Sequence, residues 1–231
     1  MHLLIRKEKL LIPHTNRLKP KLTEANKHER LEYCLAARDP SPGFFCYKDF
    51  TNTVFLDEKW FYITTDGFKM YLLPDKETPY RSVKHKSHVE KLMVLVGVTC
   101  PRRNLQTGEI FDGKIGCFAI GDKVEAKHTS KHCEKGSIEF KSCTMTREVY
   151  IRYLCEKVIP SIIAKWPQMM QPDGSLFDKT IYLQADNAPA HVKEDQFQEI
   201  IKDIDTQGLT FKLRYQPPNS PDLNVLDLAL F

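Results

Sequence analysis

Apolar and polar positions change their period several times along the chain, and each change marks an element. Thr53 to Leu56 is a short run of strand formers that ends at Asp57. Leu92 to Thr99 is a longer one, and both read as buried strands. Between them, Phe61–Thr64 and Phe68–Leu73 flank Asp66-Gly67, a hairpin signal because type I′ turns need φ > 0. Residues 101–145 hold no sustained period, are rich in Lys and His, and offer one strand near Gly116 to Ile120. Thr146 then opens a helix whose apolar side includes Val149, Tyr153, Leu154, Val158 and Ile162, with Pro160 expected to kink it. Thr180 to Gln184 is again strand-like. Phe197, Ile200, Ile201 and Ile204 follow helical spacing, and Leu209, Phe211 and Leu213 alternate as in a half-buried strand. A last helix is expected after Pro221, capped by Ser220 or Asp222, with Leu223, Leu226 and Leu230 on one face.

Ahead of this core, residues 1–21 are basic, contain Pro13 and Pro20, and read as an extended linker. Thr23 is a suitable N-cap for a helix running to about Ala37, with Glu24 placed favourably against the helix dipole. Asp39-Pro40-Ser41-Pro42-Gly43 ends it. The chain therefore divides into a linker and helix over 1–45 and a core over 46–231, the latter carrying an irregular insertion over 101–145.

Three strands, then helix, strand, helix, strand, helix, is the order of an α/β fold of the RNase H-like kind. It predicts a mixed five-stranded sheet with helices on both faces. The first and fourth strands are neighbours in that fold. Asp57 and Asp186, each following an apolar strand, then stand side by side, and Asp227 approaches from the closing helix. Three convergent carboxylates repel one another, an arrangement suited to hard divalent cations such as Mg²⁺. They should also raise the pKa of some members when no cation is present. Read singly, each acid has an ordinary explanation: Asp57 and Glu58 as a strand end, Asp186-Asn187 as turn chemistry, and Asp227 as an exposed helix acid. Their joint order along one fold favours the site.

Composition narrows the picture further. The net charge is +4 over 231 residues, but residues 1–30 hold eight Lys/Arg against three Glu. Arg6, Lys7, Lys9, Arg17, Lys19 and Lys21 form a basic arm that either follows DNA phosphates or is a solvated tail. Seven scattered cysteines with no Cys-x-x-Cys pair suit a reducing cytosol or nucleus rather than a disulfide framework. His128, His132 and Cys133 lack a second ligand pair at zinc spacing and read as a solvated basic loop. No apolar run approaches the roughly 20 residues of a membrane span.

Three blocks carry a resemblance. Asp57-Glu58-Lys59-Trp60-Phe61, Gln184-Ala185-Asp186-Asn187-Ala188-Pro189-Ala190-His191, and Gln216-Pro217-Pro218-Asn219-Ser220-Pro221-Asp222-Leu223-Asn224-Val225-Leu226-Asp227 occur in order. Together they resemble the catalytic domain of mariner-like DNA transposases, closest to the plant-type branch with Asp at the third position. Leu18-Lys19-Pro20-Lys21-Leu22-Thr23 resembles the family's linker, and Phe111-Asp112-Gly113-Lys114-Ile115-Gly116 is a further match. Forty residues separate Asp186 from Asp227, one more than the plant-type spacing, which one insertion near Gly208 absorbs.

The resemblance implies cleavage and strand transfer at transposon terminal inverted repeats, with Asp57, Asp186 and Asp227 as catalytic ligands of two Mg²⁺ ions, Mn²⁺ substituting. Asn187, His191 and Glu58 would support them, and Asn224, which shares a helix face with Asp227 at i, i+3, would steady it. It also implies double-stranded DNA, both ends and target, as partner, a homodimer, no membrane association, and a nuclear location. The family's helix-turn-helix modules have no counterpart before residue 10, and its last helix continues past Phe231, so a catalytic-domain fragment is expected. The alternative readings are a catalytically inactive or domesticated remnant that binds DNA or a protein, and a structure-selective nuclease of the same fold. Trp60 and Phe61 are expected in the core. Lys59 is expected to be solvated, with phosphate contact as its other reading.

Overall fold

The computed structural model describes residues 21–38, 50–62, 91–103, 108–129, 134–166 and 179–230. Helix α1 (Glu24–Ala36) leads to strands β1 (Thr53–Tyr62), β2 (Lys91–Thr99), β3 (Arg102–Arg103), β4 (Ile110–Phe111), β5 (Lys114–Glu125) and β6 (Ile138–Ser142). Helix α2 (Arg147–Tyr153) passes through a π-turn (Leu154–Val158) into α3 (Ile159–Lys165). β7 (Thr180–Ala185), α4 (Glu194–Ile201), β8 (Thr210–Tyr215) and, after a 3₁₀ turn at Pro221–Leu223, α5 (Val225–Ala229) complete the order.

The main sheet runs β6-β5-β2-β1-β7-β8, six strands where five were expected, and β3 pairs with β4 beside it. β6, β5, β2 and β1 pair antiparallel with one another in that order, whereas β7 joins β1 and β8 in parallel. This is the mixed RNase H-like α/β sheet. β3 to β6 put paired strands within 101–145, where one strand near Gly116 to Ile120 was expected. A side chain at Gly116 would collide with the Phe118 ring, and one at Gly121 with the Lys141 carbonyl oxygen and the Phe140 ring. Those rings cover the bare glycine backbone, and the strand continues past both.

Two apolar layers sandwich the sheet. Val54, Leu56, Leu95, Ile115, Ile181 and Leu183 pack under Tyr150, Leu154, Ile159 and Ile162 of the α2–α3 segment and under Phe197 and Ile201 of α4. The opposite layer is thinner: Phe55, Val94 and Val96 against Leu226 of α5. Full burial of each such side chain contributes about 1.5–3 kcal/mol, so the first layer dominates stability. Thr146 caps α2 as its sequence suggested, accepting from the Val149 amide. Pro160 follows the π-turn, where the altered bonding register accommodates a residue that lacks an N–H.

The last helix differs from expectation. Its cap is Asn224 rather than Ser220 or Asp222, because the chain first makes the 3₁₀ turn at Pro221. Leu226 is buried, but Leu230 is 58% exposed. Phe61, expected in the core, is 49% exposed near the end of β1, and Trp60 is half-buried with the Lys91 ammonium 4.5 Å from its ring. The expected Asp66-Gly67 hairpin and the break at Asp39–Gly43 lie outside the described residues.

Helix α1 has the full capping box, Thr23 Oγ1 accepting from the Asn26 amide and Asn26 Oδ1 from the Thr23 amide. It buries no residue of its own. Its ties to the body include a two-pronged pair, Arg30 Nη1 and Nη2 to Asp222 Oδ1 and Oδ2 at 2.8 and 2.6 Å, with Asn219 reaching Asn26 beside it, and the half-buried Tyr33, which hydrogen-bonds with Gln184. Arg30→Ala is expected to loosen α1, leaving Tyr33 to hold it, while costing the core under about 1 kcal/mol, because Asp222 is largely solvated. Limited proteolysis within 24–36 should accelerate with the urea midpoint almost unmoved.

Candidate active site

β1 and β7 lie parallel, with Val54 opposite Leu183 and Phe55 opposite Gln184. Continued two residues, that register sets Asp57 level with Asp186, the first residue beyond β7. Asp57 does not end its strand, as expected from sequence, because pairing with β2 continues from Val54–Thr99 to Tyr62–Lys91. Alternation along β1 then sends neighbouring acids to opposite faces. Asp57 follows Phe55 on the α5 side, and Glu58 follows Leu56 on the α2 side.

On the α5 side an open cleft of about 350 Å³ is lined by Asp57, Asp186, Asp227 and Asn224, and walled by the proline-rich stretch 216–221. All three acids expected to converge therefore share one cleft. Asn224 does more than steady Asp227. Its Oδ1 accepts the Leu226 amide at 2.9 Å, capping α5, while its Nδ2 donates to Asp57 Oδ2 at 2.8 Å and Asp227 Oδ2 at 3.3 Å. Lys59, two residues along β1 from Asp57 and on its face, places Nζ 3.4 Å from Asp227 Oδ1. Asn187 is exposed at the rim, and the amide that reaches Asp186 Oδ1, at 3.0 Å, is that of Ala188.

Burial is the largest influence on Asp57. With the charges of Asp227 and Glu58 it outweighs the hydrogen bonds from the Glu58 amide and Asn224, pushing the carboxyl up to about 6. Asp186 moves the other way: its hydrogen bond with His191 holds it below the ordinary carboxylate range despite burial.

His191 occupies the α2 side. Its Nδ1 lies 2.7 Å from the Asp186 carbonyl oxygen and 3.1 Å from Asp186 Oδ1, and its Nε2 lies 3.2 Å from Glu58 Oε1. Both nitrogens face only acceptors, so both donate and the ring is an imidazolium. Burial, the strongest influence, favours the neutral ring, but the bonds to Asp186 and Glu58 and the charge of Glu58 overcome it and raise His191 to about 10. The ring stacks on Tyr150, centroids 4.2 Å apart. Glu58, Asp186 and His191 also bring one ligand-type atom each within 4.8 Å of one another.

Sequence reasoning missed three of these contacts: Asn224 to Asp57, Lys59 to Asp227, and Glu58 to His191. The only available signal was strand alternation, which separates Glu58 from Asp57. Of the basic arm, Lys21 is described and exposed; Arg6, Lys7, Lys9, Arg17 and Lys19 lie outside the described residues, as do His132 and Cys133. Cys34, Cys100, Cys117, Cys143 and Cys155 are free thiols.

Parallel β1 and β7 presenting acids at one edge define a protein of the RNase H-like class. Within it, the chain has the fold of the Mos1 transposase. A Mos1 transposase paired-end complex with left transposon end superposes with a TM-score of 0.55 at 18% identity, over 97% of this chain and 52% of that one. A pre-cleavage Mos1 transpososome gives 0.56 at 18%, over 97% and 53%. A Mos1 mariner paired end complex with Mn gives 0.53 at 20%, over 96% and 52%. The chain thus spans about half the length of the solved chains it matches. No protein-family model and no curated protein matches the sequence.

Proposed function

We propose that this chain is the catalytic domain of a mariner-like, plant-type transposase that cuts DNA at transposon ends and joins the freed end to a target. The observation that carries the reading is the convergence of Asp57, Asp186 and Asp227 on one cleft, in the fold shared with Mos1. Solved Mos1 relatives include paired-end complexes, one with Mn and one with a left transposon end.

The donor set fits hard divalent cations. Its oxygens are the carboxylates of Asp57, Asp186 and Asp227, and the raised Asp57, half-buried beside the charges of Asp227 and Glu58, carries a burden that a cation relieves. Asp57, Asp186 and Asp227 would hold Mg²⁺, or Mn²⁺ in its place. Two such ions, when bound, activate the attacking oxygen and neutralise the leaving 3′-oxygen of a phosphodiester. The chain's own part is placement. Asn224 spaces Asp57 from Asp227, the 216–221 stretch walls the cleft, and Lys59 supplies a positive charge at its edge where a phosphate would pass. Double-stranded DNA as partner, a homodimer that pairs two ends, and action in the nucleus belong to the same reading.

The test is Mn²⁺ binding by calorimetry, with nicking of supercoiled plasmid in the same buffer. The parent should bind Mn²⁺ and Asp186→Ala should not. Any nicking should fall at least about 100-fold in each of Asp57→Ala, Asp186→Ala and Asp227→Ala. A folded parent with no affinity for Mn²⁺ would remove the metal-dependent reading.

A further inference from the structure

Glu58, His191 and Tyr150 form a buried polar assembly that the cleft never touches. The side chains of His191 and Glu58 are only 3% and 10% exposed, and Tyr150 is fully buried beneath the imidazole. Desolvating a carboxylate and an imidazolium is costly unless each meets the other with good geometry. Here both ring nitrogens are satisfied, one by Glu58 and one by Asp186.

Such a trio could in principle gather a metal ion, since its ligand-type atoms lie within 4.8 Å of one another. The hydrogen bonding argues against it. Nδ1 is taken up by the Asp186 carbonyl and carboxylate oxygens and Nε2 by Glu58, so neither ring nitrogen is turned to the cleft. What the ring controls is Asp186. Its Nδ1 and the Ala188 amide both engage Oδ1, at 3.1 and 3.0 Å, and Nδ1 also grips the Asp186 carbonyl oxygen. The carboxylate is thereby fixed in torsion, with Oδ2 left over for the cleft.

We propose that His191, braced by Glu58 and stacked on Tyr150, is the positioning residue that orients the Asp186 carboxylate from behind the sheet. With Oδ1 held behind the sheet, the divalent ion is confined to the Asp57–Asp227 side. This rests on the metal-site reading above. Groups of this kind behind a metal ligand are worth about 10–100-fold in affinity.

The experiment uses the full chain, with Mn²⁺ as probe, followed by EPR. His191→Ala should weaken Mn²⁺ binding about 10–100-fold. His191→Asn, whose amide nitrogen falls near the Nδ1 position, should restore most of that loss. Pulsed EPR of Mn²⁺ on the parent should show no ¹⁴N coupling from a directly bound imidazole. Three results would overturn the assignment alone: unchanged affinity in folded His191→Ala, equal losses in the Ala and Asn variants, or an imidazole ¹⁴N coupling that vanishes in His191→Asn. A parent that binds no Mn²⁺ overturns the metal-site reading and this assignment with it. If His191→Ala does not fold, Glu58→Ala carries the test, and binding as tight as the parent's would count against the brace.

Discussion

Asp57→Asn is expected to make the metal-free protein more stable at pH 7.5 while removing its affinity for Mn²⁺. The folded-state carboxyl titrates near 6, against 3.8 ordinarily, because burial and the nearby Asp227 and Glu58 disfavour its ionised form. The folded state therefore favours the protonated acid. That contribution is fully present below about pH 4 and is lost as pH rises through 6, so at pH 7.5 the ionised group is a burden. The shift alone sets a ceiling of about 3 kcal/mol. Partial solvation of the carboxyl, and the loss of one acceptor for Asn224, bring the expected gain to about 1 kcal/mol, or roughly 2–4 °C in Tm. Melts in EDTA at pH 4 and 7.5 check it: the two proteins should converge at pH 4 and separate at pH 7.5. Added Mn²⁺ should then raise the Tm of the parent only. A variant less stable than the parent at pH 7.5 would make Asp57 a structural anion instead.

Gly113→Ala is expected to cost about 3–4 kcal/mol, among the largest losses available to one methyl group here. Gly113 has φ +83°, and a Cβ there would stand 2.2 Å from the Thr99 carbonyl oxygen. The Thr99 amide donates to the Gly113 carbonyl at 2.8 Å, so the two backbones cannot separate without opening the junction of β2 and β5. Gly208 is the control, with φ +82° and no atom within 4 Å of a built Cβ. Gly208→Ala should cost only the left-handed conformational penalty, about 1–2 kcal/mol. Urea unfolding of both variants separates collision from conformation, and equal losses would show that the Thr99 contact is not what holds Gly113.

Much of this was readable because the period of the apolar positions changes cleanly. β2, β7, β8 and the helix opened by Thr146 follow their patterns, and a resemblance in three blocks pointed to the acids that share the cleft. The failures have a common cause. Asp57, Glu58 and Lys59 interrupt the apolar run, so β1 looked finished at Leu56, although backbone pairing with β2 carries it to Tyr62. β5 was expected only near Gly116 to Ile120, since its extension to Glu125 depends on pairing with β6, a tertiary matter. Asn224 reads locally as a partner for Asp227. Its shorter bond is to Asp57, a contact made only when α5 reaches β1 across the sheet. Glu58 next to Asp57 looked like a second member of one acidic site, and only the pleat assigns it to His191.

The sheet order has a consequence for how the protein acquires its site during synthesis. β1, β2, β5 and β6 are joined by antiparallel pairings between segments near in sequence, so loop closure for that half is inexpensive and can proceed as the chain emerges. β1 cannot meet β7 until Gln184 has been made, and Asn224 and Asp227 arrive later still. Until then Asp57 stands on an exposed strand edge, and the long-range parallel pairing that covers it is the kind that closes slowly. The acids are therefore assembled last, and a nascent or partly folded chain has no complete acid cluster.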